Sequence, residues 1–217
     1  MTALTGYPRS DGRKGIRNVV AVSYLVECAH HVAGRIAAGM EDDVHVIGFG
    51  GCYPNDYAAM MLERLTTHPN VGAVLLVSLG CEGFDRAELA RAIAATGRPV
   101  ETLVIQQTGG TRKTIEAGHA WVEQARAQLA RAERVPMGLD ELVVGTICGG
   151  SDSTSGITAY PAVGRAFEKL VDGGAVAMFE ETGELIGCEH DMARRAITPE
   201  LGRELIGAVE KAERYFR

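Results

Sequence analysis

No apolar run in this 217-residue chain is long enough to cross a bilayer, for which a helix needs about 20 consecutive apolar residues. Basic runs, zinc-finger spacings and aromatic stacking motifs are missing too, and the net charge of −6 disfavours phosphate backbones and anionic lipid alike. Nucleic acid and membrane are therefore not expected partners. The opening MTALTGYPRSDGRKG holds no apolar core of a secretory signal. Neither GxGxxG nor GxxxxGK[ST] occurs, so a nucleotide site has no support. The five cysteines are odd in number and cannot all pair within the chain. Without an export signal they read as reduced thiols of a cytoplasmic protein.

What is present is ordinary globular material, 46% hydrophobic and 23% charged, and ample for a full core. Strand-like runs fall at 17–25, 44–49, 72–80, 100–106, 141–148 and 174–180. Helical patterns fill 26–40, 55–66, 85–96, 110–133, 160–172 and 199–216. Asp85 and Thr198 stand as caps, Pro161 and Pro199 suit a first helical turn, and Pro54-Asn55-Asp56 opens another helix. Regular alternation with nearly continuous apolar strands predicts an α/β fold: a parallel sheet in a Rossmann-like three-layer sandwich. One domain over 1–217 is expected, with Pro136-Met137-Gly138 as the most linker-like point and a candidate hinge.

Three of the strand-like runs end in a cysteine beside glycine, at Cys52, Cys81 and Cys148. Ligands of open α/β sheets gather beyond the carboxyl ends of the strands, so three thiols placed alike suggest one site. The N-terminal arm carries Arg9, Asp11, Arg13, Arg17 and Asn18. Its guanidinium forks suit carboxylates, and the alternative is an arm tied down by surface ion pairs. QQTGGTRKT (106–114) offers Thr108, Thr111 and Arg112 for a small oxyanion. CGGSDSTSGITAYPAVG (148–164) gathers a thiol, the carboxylate of Asp152 and the hydroxyls of Ser151, Ser153, Thr154 and Ser155. Ordering so many small polar residues is costly unless they hold something. In FEETGELIGCEH (179–190), Glu180, Glu181, Glu184 and Glu189 stand near Cys188 and His190. Such carboxylates move protons or bind a hard metal, and acids opening a helix also answer its dipole.

Taken together, GYPRSDGRKGIRN (6–18), GGC (50–52), THPNVGAVLLVSLGCE (67–82), QQTGGT (106–111), TICGGSDSTSGITAYPAVG (146–164) and ETGELIGCEH (181–190) resemble the altronate/galactarate dehydratase family, which includes the large subunit of sulfolactate sulfo-lyase. The resemblance implies a metal-dependent lyase that removes water from a sugar acid such as altronate or galactarate, giving a 2-keto-3-deoxy acid. Iron is the implied cofactor, as Fe2+ or an iron–sulfur cluster held by Cys52, Cys81 and Cys148, since thiolates favour soft or borderline ions. Asp152 or Glu82 is then the expected base, Ser151 a further catalytic group, and Arg13, Arg17, Asn18 and Thr111 the grip on the substrate carboxylates. Two departures stand out. Phe49 occupies the place of a family histidine three residues before Cys52, and the chain looks like the central domain with the C-terminal domain absent. A homo-oligomer, or a partner domain or subunit, is therefore expected. Competing readings are a noncatalytic sugar-acid-binding or scaffolding module and, last, a cysteine-nucleophile hydrolase using His190 or His45.

Overall fold

The run VGAVLLVS (Val71–Ser78) is buried at every position, as a central parallel strand covered on both faces must be. In the computed structural model, which describes residues 4–150 and 152–217, this strand (β3) lies between β1 (Val19–Tyr24) and β4 (Val100–Val104). Strand β2 (Val44–Gly48) pairs on the far side of β1, so the order is β2-β1-β3-β4 with all pairs parallel. Helices α1 (Glu27–Ala37) and α4 (Thr111–Leu129) cover one face, where Val32, Ile36 and Val122 pack on Val20, Val22, Leu75 and Val77. On the other face, α2 (Asp56–Thr66) and α3 (Arg86–Ala95) bring Leu62, Leu89 and Ile93 against Ala21, Val74 and Leu76. This is the expected three-layer sandwich. The expected cap at Asp85 is in place, its Oδ1 accepting from Glu88 N at 2.9 Å, and the helix that opens at Pro54-Asn55-Asp56 is capped by Asn55 Oδ1 accepting from Ala58 N at 2.8 Å.

The single domain expected over 1–217 is instead two compact units, divided between Gly138 and Leu139 at the linker-like tripeptide. The runs at 141–148 and 174–180 do not extend the first sheet. They form a separate parallel pair, β5 (Val143–Thr146) with β6 (Val176–Phe179), joined by α5 (Ala159–Asp172). The reason is visible before them: Val135–Pro136 already pairs antiparallel with the N-terminal strand Thr5–Pro8, which also pairs with Lys14–Gly15. The chain has thus left the first sheet for another. A final helix, α6 (Pro199–Phe216), opens on the predicted cap, Thr198 Oγ1 accepting from Leu201 N at 3.2 Å. Among the described residues, no helix is long and apolar enough to cross a membrane.

Candidate functional site

In the first sheet the chain runs from β1 to β2 on one side and then crosses to β3 on the other. Open α/β sheets bind ligands beyond the carboxyl ends of the strands where direction reverses, a point that here falls between β1 and β3. The loops there are knitted together. Cys52 O accepts from Gly83 N at 2.8 Å, and Gln106 N donates to Leu79 O at 3.2 Å. Gly80 has φ +127, and a Cβ there would lie 2.7 Å from Gln106 Oε1, so only glycine lets these loops meet. Cys52 and Cys81 both lie exposed on this rim. So does Cys28, in the first turn of α1 directly after β1. Sequence reading passed over it because no glycine flanks it, although its place after a strand matched the other two. Beside it Glu27 Oε1 contacts His30 Nδ1 at 3.1 Å, and Tyr24 stacks on the imidazole with ring centroids 4.7 Å apart. Thr111 sits exposed in the first turn of α4, beyond the carboxyl end of β4.

Glu82 shares the rim but is not a free base. It is 8% exposed, and its carboxylate accepts from the Ser78 hydroxyl and, at 2.8 Å, from Gly80 N. Burial pushes its pKa up, but these hydrogen bonds, its own N–H and nearby Arg86 outweigh that and hold it below the ordinary value. Its carboxylate closes the turn that carries Cys81.

The N-terminal arm lies at the opposite, amino-terminal edge of the same sheet. Arg9 Nε donates to Pro69 O at 2.6 Å and its Nη2 to Asn18 Oδ1 at 2.9 Å, while Asn18 Nδ2 donates to Leu129 O at 3.2 Å. Arg13 pairs with Asp11 at 2.6 Å. Arg17 N donates to Asn70 Oδ1 at 3.2 Å, and Arg17 lines a cavity of about 330 Å³ with Tyr7, Asn18, Asp43 and Arg126. The structure therefore does not bring Arg13, Arg17 and Asn18 together with Cys52, Cys81, Glu82 and Thr111. It gives the arm the contacts of a structural tie.

Cys148 belongs to the second unit and gathers there with carboxylates. Its Sγ and carboxylate oxygens of Glu181 and Glu184 lie within 4.8 Å of one another. Among the described residues, this is the one group of three or more potential ligands that close, and neither Cys52 nor Cys81 belongs to such a group. Cys148 N donates to Glu181 Oε2 at 2.9 Å, and Tyr160 Oη stands 3.4 Å from the Cys148 sulfur. Glu181 alone among the described non-glycine residues has positive φ, +57. The sequence had singled out both glutamates, but not their meeting with Cys148, which lies 33 residues before Glu181. Asp152 is occupied otherwise. Its Oδ1 accepts from Thr154 N and Oγ1, both at 2.7 Å, and from Ser155 N at 3.0 Å. The Thr154 hydroxyl first, then the backbone donors, hold its pKa below the ordinary value, as suits a turn cap better than a base. Ser151 lies outside the described residues.

Comparison with known proteins follows the same division. Residues 6–130 match the family model of the D-galactarate dehydratase/altronate hydrolase second domain, and residues 139–217 that of the D-galactarate/altronate dehydratase C-terminal region. The expectation that C-terminal domain sequence is absent is corrected by the second match. The (2R)-sulfolactate sulfo-lyase subunit beta of Chromohalobacter salexigens is 36% identical over 88% of this chain and 49% of its own length. The galactarate dehydratase (L-threo-forming) of Escherichia coli is 30% identical, and the altronate dehydratase of Bacillus subtilis 27%, each over 97% of this chain and 45% of its own. The chain thus spans about half the length of these curated relatives. With both units matched in order, and with a relative above 30% identity over most of the chain, it belongs to the D-galactarate dehydratase/altronate hydrolase family.

Proposed function

We propose that this chain is part of a metal-dependent hydro-lyase that removes water from a sugar acid to leave a 2-keto-3-deoxy acid. The gathering of Cys148, Glu181 and Glu184 carries the reading. One thiolate and two carboxylates form a donor set of mixed softness, which suits a borderline divalent ion such as iron(II) better than magnesium. This donor set is an alternative to the expected trio of Cys52, Cys81 and Cys148. Bound there, iron(II) would supply Lewis acidity towards a departing hydroxyl.

Dehydration also needs a base for the proton next to the carboxylate. Within the second unit Asp152 is beside the donor set in sequence, but its Oδ1 is engaged by Thr154 and Ser155 as a turn cap.

Anaerobic purification with iron(II), followed by metal analysis and an assay for 2-keto-3-deoxy acids from aldonates and aldarates, tests this. Glu184→Gln should lower bound iron about tenfold, and a Cys52→Ser/Cys81→Ser double variant should leave it unchanged. The reverse pattern sinks the mixed-donor reading. Chain 1–217 alone should turn over far below about 1 per second, the low end of ordinary enzymes, because it spans half of its relatives.

A further inference from the structure

The polar run that follows β5 does more than cap a turn. Asp152 Oδ1 accepts from Ser155 N, and Asp152 N donates to Ser155 Oγ, both at 3.0 Å, which folds 152–155 tightly. The Ser155 carbonyl then accepts from Tyr160 N at 3.0 Å, while Thr154 O accepts from Ile157 N at 3.1 Å and from Thr158 N at 3.0 Å. These bonds open α5 and bring its second residue back to Cys148, where the Tyr160 phenol oxygen stands 3.4 Å from the sulfur. The carboxylates arrive from a different segment. Glu184 N donates to Glu181 O at 2.9 Å in a 3₁₀ turn, whose geometry sets side chains three apart on one side. Cys148 N holds Glu181 Oε2 at 2.9 Å, so the residue that offers the thiol also orients the first carboxylate.

We propose that Tyr160 is a positioning residue for the mixed-donor site of Cys148, Glu181 and Glu184, a role that rests on the reading of that site given above. A thiolate bound to an ion carries no proton, so the hydrogen between the two atoms is the phenol's, and Tyr160 donates to Cys148 Sγ. The outer hydrogen-bond partner of a ligand fixes its place and tunes how much electron density it gives the ion. A donor on sulfur makes the thiolate a weaker and harder ligand, in keeping with the two carboxylates beside it. Burial does not account for where the ring sits, since Tyr160 is 45% exposed. The hydrogen bonds of 152–160 do, and they give the run of small polar residues a use: it carries one hydroxyl to one sulfur.

Cobalt(II) tests the proposal on chain 1–217, because sulfur-to-cobalt charge transfer absorbs in the near ultraviolet and reports how strongly the sulfur donates. Anaerobic titration of the parent should raise that band, and Cys148→Ser should abolish it. Tyr160→Phe keeps the half-exposed ring and removes only the hydroxyl. Its band should move to longer wavelength, since sulfur relieved of the phenol donates more strongly, and its cobalt affinity should fall about tenfold, the low end for such partners. Tyr57→Phe, in the first unit, should change neither. A Tyr160→Phe band at the parental wavelength overturns the proposal, even where affinity falls, because a ring that merely packs there would weaken binding without altering the sulfur. A parent without the band, or one whose band survives Cys148→Ser, removes the mixed-donor reading itself and the role of Tyr160 with it.

Discussion

Two ionisable side chains of the first unit tie its stability to pH, and they act in different windows. His68 accepts a hydrogen bond on Nδ1 from Asn70 N at 3.1 Å, so it is neutral in the fold. Burial, then the charges of Arg13 and Arg98, hold its pKa below the ordinary value. The unfolded chain protonates His68 near pH 6.5, the folded chain only at lower pH. Its contribution is therefore full above about 6.5 and shrinks as pH falls through the folded value. Urea midpoints at pH 7.5 and 5.5 should fall less in His68→Gln than in the parent. Equal falls would show that His68 charges freely in the fold. Glu82 is also lowered, so its contribution is full above the ordinary glutamate value and is lost as pH drops through the folded one. Glu82→Gln puts an amide N–H₂ against either the Ser78 hydroxyl or Gly80 N, and should cost about 1–3 kcal/mol at pH 7, measured by urea unfolding. The loss should narrow as pH falls through the folded value, where the parent carboxylate becomes protonated.

At the scale of elements, α4 fits closely against the helix and strand beneath it. A Cβ on Gly118 would lie 2.4 Å from Ile36 Cδ1 and 3.3 Å from Leu75 Cδ2. Both neighbours are wholly buried and have nowhere to go. Gly118→Ala gains helix propensity, but overpacking outweighs it, and a net loss of about 1–3 kcal/mol is expected. A variant as stable as the parent would mean that α4 can lift off the sheet without penalty. Every strand and helix of this sandwich was legible in the sequence, because apolar continuity and the 3.6-residue period are local signals. The caps at Asp85 and Thr198 were legible for the same reason. Strand partnership was not. The apolar run at 141–148 looks like a fifth strand of the sheet, and nothing within it reports that the preceding segment had turned away to pair with Thr5–Pro8. Site geometry failed in the same way. Cysteines at strand ends could be seen, but which edge held the arm, and which partners Cys148 met, depended on contacts far apart in sequence.

At the scale of the whole chain, the two units carry very different cores. The first buries Val20, Val22, Leu75, Leu76, Ile36, Ile93 and many others against a four-stranded sheet, and the second buries Ala175 and Val209. Each large apolar side chain buried is worth about 1.5–3 kcal/mol, so local opening in the second unit is far cheaper than unfolding of the first. Proteolysis under native conditions follows the cost of opening when reclosing is fast. A small dose of a broad-specificity protease should therefore cut within 139–217 first and leave a resistant fragment ending near Gly138. That fragment should keep the cooperative unfolding of the parent, because the hydrogen bonds and packing of β1 to β4 lie within it. If α6 and the β5–β6 pair resist as long as β3 does, the second unit draws stability from a source other than its own buried side chains. First cleavage inside α1 to α4 would instead reverse the order of stability that the two cores imply.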